Sequence, residues 1–270
     1  MFTVLLSVYR KEQPAYLQQS LDSIFNQTLL PDEVILVKDG PLTDELDRVV
    51  EDYVRKFSVL KIVPLSENQG LGKALNEGLK HCSYDLVARM DTDDIAKSDR
   101  FEKQIAMFCA HPEIDIVGAW IDEFEDNILN VLSIRKVPET HNDILKFAKQ
   151  RSPVNHPVVM FRKNAVMSVG SYQHFPLFED YYLWVRMLLN GACFYNIPES
   201  LLYFRFSSDM FKRRGGWKYA MDEFKFQQKL LKLGFINYVC FLQNIGIRFI
   251  SRIIPNSLRT ILYKKILRKV

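Results

Sequence analysis

The sequence predicts an α/β protein with a mostly parallel central sheet flanked by helices, followed by a C-terminal amphipathic helical extension. Three observations predict it. Short apolar runs alternate with stretches of helical periodicity as far as residue 205, and 270 residues at 48% hydrophobic content can bury a full core. Residues 211 to 270 then change character, with 14 Lys and Arg against 2 Asp and Glu, whereas residues 1 to 210 carry 22 against 30.

The elements follow in order. "FTVLLSVY" reads as a buried strand, and Leu17, Leu21, Ile24 and Phe25 repeat at helical spacing. "EVILVKDG" is a second strand ending at Asp39-Gly40; Leu46, Val49, Val50, Tyr53, Val54 and Phe57 mark one face of a second helix, and "VLKIV" is a third strand. "NQGLGKALNEGLK" turns into a helix with Leu71, Leu75, Leu79 and Cys82 inside, and "YDLVARM" makes a fourth strand. Strands alternating with helices imply a parallel sheet covered on both faces. "IDIVGAW" and "HPVVMFRK" read as further strands, "NAVMSVG" as a short helix stopped by Gly170, and "EDYYLWVRMLLNG" as a longer one stopped by Gly191.

In the extension, Lys218 to Leu233 reads as a helix, and "FINYVCFLQNIGIRFISRII" places Asn237, Asn244, Arg248, Ser251 and Arg252 on one side of a mainly apolar helix. Arginines and amides argue against a membrane span, which needs about 20 predominantly apolar residues. "SLRTILYKKILRKV" has the composition of a helix lying in a lipid interface, so the basic excess points to anionic lipid rather than nucleic acid. The alternative is a pair of helices packed on the domain with a solvated basic face. The start, "MFTVLLSVYRK", lacks a basic leader region, so a cytoplasmic location is expected. Cys82, Cys109, Cys193 and Cys240 stand alone, without metal or disulfide spacing, and read as small buried hydrophobes.

Ligands of open α/β sheets sit outside the carboxyl ends of the strands, where Ser7, Tyr9, Asp39 and the segment "DTDD" fall. Asp91, Asp93 and Asp94 crowd three negative charges into four positions, and a divalent cation would resolve the repulsion. In an extended segment Asp91 and Asp93 would share a side while Asp94 points elsewhere. The alternative is an acidic turn in which Asp94 or Ser98 caps the next helix. Glu179 and Asp180 open a helix, where acidic residues favour the N-terminus; a carboxylate there can equally serve as general base. His156 reads as a hydrogen-bonded structural residue, and "FKRRGG" as a turn or as a loop whose Arg213 or Arg214 closes over a diphosphate. No phosphate loop of the G-x-x-x-x-G-K-[ST] type and no G-x-G-x-x-G is present, which removes the main support for ATP hydrolysis and dinucleotide redox chemistry.

Together, "VLLSVYRKEQPAYLQQSLDSIFNQT", "VILVKDG", "ENQGLGKALNEGL", "ARMDTDDI" and "FEDYYLWVRM" resemble glycosyltransferase family 2, in particular the bacterial capsule and exopolysaccharide enzymes, over residues 2 to about 205. The resemblance implies a GT-A nucleotide-diphospho-sugar fold over 1–210, with 211–270 as the extension. It implies inverting sugar transfer from a donor that is a UDP-sugar in the family's commonest pattern, to a saccharide or lipid-linked acceptor, assisted by Mn²⁺ or Mg²⁺. By position, Ser7 and Tyr9 match residues near the base and ribose, Asp39 the carboxylate that reads the base edge, and Asn68 and Lys73 the segment beside the nucleotide. Asp91 matches the first Asp of the D-x-D, Asp93 its metal ligand, and Asp180 the catalytic base. The expected location is peripheral, at the inner face of the cell membrane. Leu75 stands where the family often has Arg, so a phosphate contact is either missing or supplied by Lys73, and the frequent His after "YFRF" is absent, so the arginines at 213 and 214 are expected to take over the phosphates. The competing readings are a sugar-1-phosphate nucleotidyltransferase, which would need a glycine-rich loop that "SVYRKEQP" lacks, and a non-catalytic sugar-nucleotide or lipid binding module.

Overall fold

The computed structural model of the chain describes residues 1–206 and 216–253, with side chains to residue 247. The first half is β1 (Phe2–Val8), α1 (Pro14–Phe25), β2 (Glu33–Lys38), α2 (Asp44–Lys56), β3 (Leu60–Pro64), α3 (Leu71–His81) and β4 (Leu86–Arg89). After it come β5 (Ile95–Ala96), α4 (Arg100–Ala110), β6 (Ile116–Phe124), β7 (Ser133–Arg135), α5 (His141–Ala148), β8 (Met160–Arg162), α6 (Lys163–Ser168), α7 (Glu179–Leu189), β9 (Phe194–Arg205), α8 (Trp217–Lys232) and α9 (Tyr238–Ile253).

Local chemistry explains the boundaries. Pro14 starts α1, where its missing N–H costs nothing. The Thr43 hydroxyl accepts from the Leu46 N–H at the head of α2, which has Asp44, Glu45 and Asp47 in its first turn and Arg55 and Lys56 in its last, as the helix dipole favours.

The strands form one sheet in the order β3-β2-β1-β4-β8-β6-β9-β5, with β7 paired to β6. β3, β2, β1 and β4 are mutually parallel, whereas β8 is antiparallel to both β4 and β6. Alternate β1 residues supply two cores: Val4 and Leu6 pack with α1, α2 and α4, while Leu5 packs on the face that carries α3, α5 and α7. Gly78 of α3 lies so close to Leu5 and Val37 that a Cβ there would collide with both. The second core extends into the C-terminal segment, since Phe226 of α8 stacks on Phe178 at 4.7 Å and meets Tyr181 at 4.9 Å.

Several expectations need correction. Pro157 cannot extend a ladder, and residues 156–158 form a single 3-10 turn, so the strand read in "HPVVMFRK" is only Met160–Arg162. Of the four cysteines only Cys82 is buried; Cys109 is exposed. Of the residues read on the polar side of α9, Asn244 is buried and donates to the Lys149 carbonyl (2.8 Å) and the Gln227 side-chain oxygen (2.9 Å), whereas Asn237 is exposed. An amide with two fixed acceptors on the domain outweighs its preference for solvent.

Glu33 ties the parallel strands together. Buried at the start of β2, it accepts from Thr3 Oγ1 (2.8 Å), Lys61 Nζ (2.7 Å) and the N–H and hydroxyl of Ser83 (both 2.8 Å). Burial opposes its charge, but Lys61, Ser83 and Thr3 together draw its carboxyl down to about 2. A carboxyl lowered by folding stabilises the protein fully above its unfolded value and loses that contribution as pH falls towards 2. Glu33→Gln is expected to cost on the order of 2–3 kcal/mol in denaturant unfolding at pH 7, with the gap to wild type shrinking steadily between pH 4.5 and pH 2.

Candidate active site

The parallel strands end together at one edge. From there β2 leads into Asp39-Gly40, β3 into residues 66–70, and β4 into Met90 and the acidic turn. Asp39 is buried and gathers this edge: its carboxylate accepts from the Gln69 N–H (2.7 Å), the Gly70 N–H (3.0 Å) and Asn68 Nδ2 (3.0 Å). Gly40 has φ +85°, and a Cβ there would stand 2.7 Å from the Asn68 nitrogen. Asp39, Gly40 and Asn68 line a cleft of about 510 Å³ with Arg10, Thr43 and Glu67. Arg10 was not singled out in the sequence; its place directly after the first strand's Ser7 and Tyr9 is the signal that would have found it. Ser7 is half-buried, with its carbonyl 3.5 Å from Thr92 Oγ1, and Tyr9 is exposed beside it. Lys73 is exposed on the first turn of α3, whereas Leu75 is fully buried in the core and faces no ligand.

Residues 91–94 form a turn rather than an extended strand, so alternation does not apply: oxygens of Asp91, Asp93 and Asp94 lie within 4.8 Å of one another. Asp94 therefore joins the other two instead of pointing away. Glu12 adds a fourth carboxylate, held by Thr92 Oγ1 at 2.9 Å, and its charge acts on Asp93.

The protein supplies part of the compensating charge itself. Arg89, buried at the end of β4, grips Asp91 with both terminal nitrogens, one at 2.7 Å. Arg100 is buried behind it and donates to the Arg89 carbonyl (2.6 Å) and Gln104 (3.1 Å); burial and the neighbouring Arg89 lower it to about 9. An Arg inside the apolar run "LVARM" requires a buried acidic partner, and that was the available signal.

Arg205, at the end of β9, reaches the turn from the far side of the sheet. Its N–H donates to Asp94 (2.9 Å), Nε to the Asp93 carbonyl (3.0 Å) and a terminal nitrogen to Gln19 (2.6 Å), and its guanidinium lies 3.9 Å from the Tyr16 ring. Even so, burial, with Asp91 and Glu12 adding to it, raises the Asp93 carboxyl to about 7. Burial, Asp93 and Asp91 push Asp94 well above the ordinary carboxylate range. An acidic set with this residual strain, hard oxygen donors and an open side fits a divalent cation such as Mg²⁺ or Mn²⁺.

Asp180 occupies the first turn of α7, half-buried. Tyr172 is buried within reach of both charges: its phenol is raised by burial first, with Arg89 acting in the opposite sense and Asp180 and Asp91 each adding to the rise. The Tyr172 hydroxyl is 2.9 Å from His156 Nε2, and burial holds His156 well below its usual value, with Arg89 adding to the effect. Asn76 of α3 fixes the Tyr172 backbone in both directions, donating to its carbonyl (2.7 Å) and accepting from its N–H (2.9 Å). The sequence-predicted residues thus fall into two groups, Asp39 with Asn68 at the cleft and Asp91 with Asp93 at the turn, while Asp180 stands apart on the first turn of α7. Arg213 and Arg214 lie outside the described residues.

A family profile described as "Glycosyl transferase family 2" matches residues 3–175. The chain is 42% identical over 268 residues to UDP-Gal:alpha-D-GlcNAc-diphosphoundecaprenol beta-1,3-galactosyltransferase of Escherichia coli, covering 99% of this chain and 97% of that one. It is also 42% identical to amylovoran biosynthesis glycosyltransferase AmsE of Erwinia amylovora, over 98% of each chain. Among solved structures, S. aureus TarS 1-349 in complex with UDP-GlcNAc shares the fold, with a TM-score of 0.67 at 19% identity, covering 98% of this chain and 76% of that one.

Arg205→Lys keeps the charge but loses the planar fork that holds the Asp93 carbonyl and Gln19 together. Mn²⁺ affinity of the isolated protein, measured by isothermal titration, is expected to fall about ten-fold, equivalent to roughly 1.4 kcal/mol.

Proposed function

The chain belongs to glycosyl transferase family 2, and on that premise we propose that it moves a sugar, with inversion, from a UDP-sugar to a lipid-linked saccharide acceptor in polysaccharide biosynthesis. The observation that carries this reading is the convergence of Asp91, Asp93 and Asp94 at the same parallel-strand edge as the Asp39 cleft, β4 and β2 flanking β1. The activity in the name of the E. coli relative, aligned end to end, supports a UDP donor and a lipid-linked acceptor, and the amylovoran relative supports a polysaccharide product.

In this reading Arg10 and Asn68 meet the nucleoside in the cleft, while Asp39 keeps the loop of residues 68–70 in place for it. Ser7 and Tyr9 border the ribose, and Lys73 stands at the head of α3 towards the nucleotide. Asp93 and Asp91, with Asp94 beside them, hold the divalent cation. When bound there, Mn²⁺ or Mg²⁺ stabilises the negative charge that develops on the departing diphosphate. Asp180 accepts the proton of the acceptor hydroxyl as its oxygen bonds to the anomeric carbon, and the bond from that carbon to the diphosphate oxygen breaks. Asp91 is already paired with Arg89, so Asp93 carries more of the cation contact and Asp91 faces the nucleotide. Peripheral contact of the C-terminal helices with the cytoplasmic membrane face would bring this edge to a lipid-linked acceptor. A carboxylate pair, Glu179 and Asp180, opening α7 in addition to the acidic turn favours an enzyme over a non-catalytic binding module, and the family assignment sets aside the nucleotidyltransferase reading.

Two substitutions test the assignments separately. Asp180→Asn is expected to bind UDP with Mn²⁺ as wild type does in a calorimetric titration, yet to lose transfer by at least about a thousand-fold; turnover within ten-fold of wild type would place the base elsewhere. Asp93→Asn is expected to abolish the Mn²⁺-dependent part of UDP binding, and retention of that part would remove Asp93 from the metal site.

A further inference from the structure

We infer that the outward face of α9, built by Tyr238, Val239, Leu242 and Ile247, is the surface through which the protein lies on an anionic lipid bilayer. The inference names the site of the membrane contact proposed above and rests on that reading.

The inward side of α9 is fully committed. Asn237 caps the helix by accepting from the Cys240 N–H (2.9 Å), Phe241 packs against Phe224 at 5.9 Å between ring centres, and Asn244 is tied to Lys149 and Gln227. These contacts set the rotation of the helix and leave Tyr238, Val239, Leu242 and Ile247 facing out at 74%, 63%, 66% and 72% exposure. Gly246 lies on the same side with nothing near it. With Gln243 they form an uncharged, largely apolar arc on the side of the helix away from the buried Asn244. No helix among the described residues is long and apolar enough to cross a membrane, so the arc is suited to lying on one.

Charge selects the occupant. From residue 248 to 270 the sequence holds seven Lys and Arg and no Asp or Glu. A bilayer rich in anionic headgroups provides apolar depth for the arc and counter-charge for the basic run together. Residues 254–270 add five cations and no anion, so a second copy of the same surface would bring like charges together.

The test uses the full chain and sedimentation with vesicles of phosphatidylglycerol and phosphatidylethanolamine, beside vesicles of phosphatidylcholine alone. Leu242→Gln/Ile247→Gln keeps the net charge, and Leu129→Gln, at an exposed apolar position elsewhere, serves as control. The expected result is binding of wild type and Leu129→Gln to the anionic vesicles only, a loss of at least ten-fold for the double variant, and unchanged melting temperature and transfer to a water-soluble acceptor analogue. If wild type fails to sediment, the membrane contact itself is wrong. If wild type sediments and the double variant does so equally, the contact stands but this face does not make it. A double variant that melts several degrees lower, or a wild-type dimer that the substitutions dissociate, assigns the face to the chain's own tail or to a second copy and overturns the inference.

Discussion

Four carboxylates share one small volume at the end of β4 because guanidinium groups are built into the structure around them. Arg89 holds Asp91 from below, Arg100 braces Arg89, and Arg205 grips the backbone and side chain of the turn from β9. Removing one partner of such a buried pair leaves an uncompensated charge, which is why so much surrounding structure is devoted to keeping these arginines in place. The arrangement stops short of neutrality. The raised carboxyls of Asp93 and Asp94 are the remainder, and a bound divalent cation is what would absorb it.

The same edge is secured by contacts that each cross between elements. Asp39 ties the end of β2 to the head of α3, Glu33 ties three strands together at the opposite end of the sheet, and Asn76 ties α3 to the loop preceding α7. Cleft, acidic turn and Asp180 therefore share a frame whose spacing is set by the parallel strands. Sugar transfer needs such a frame, because donor and acceptor must be held in a fixed relation for the reaction to proceed.

The parallel half of the fold was legible in the sequence because its strands and helices have uniform periodicity and lie in chain order. The failures have non-local causes. β5 and β7 are two and three residues long, too short for any pattern. Asp94 was assigned to the wrong side because an extended conformation was assumed where the chain turns. Arg205 was invisible because its partner Gln19 lies 186 residues away. The burial of Asn244 was not readable because it answers to the carbonyl of Lys149, 95 residues earlier. The family itself was legible for another reason: a set of ordered motifs, rather than any local pattern, carries it.

The two-way bond between Asn76 and the backbone of Tyr172 distributes constraint unequally between its ends. Any residue at 172 presents the same N–H and carbonyl, but at 76 only a short amide can answer both at once. Among descendants of this chain, position 76 should therefore drift less than its packing alone would require. Position 172 should be held only by what its ring and hydroxyl do, so the two sites need not vary together although they touch.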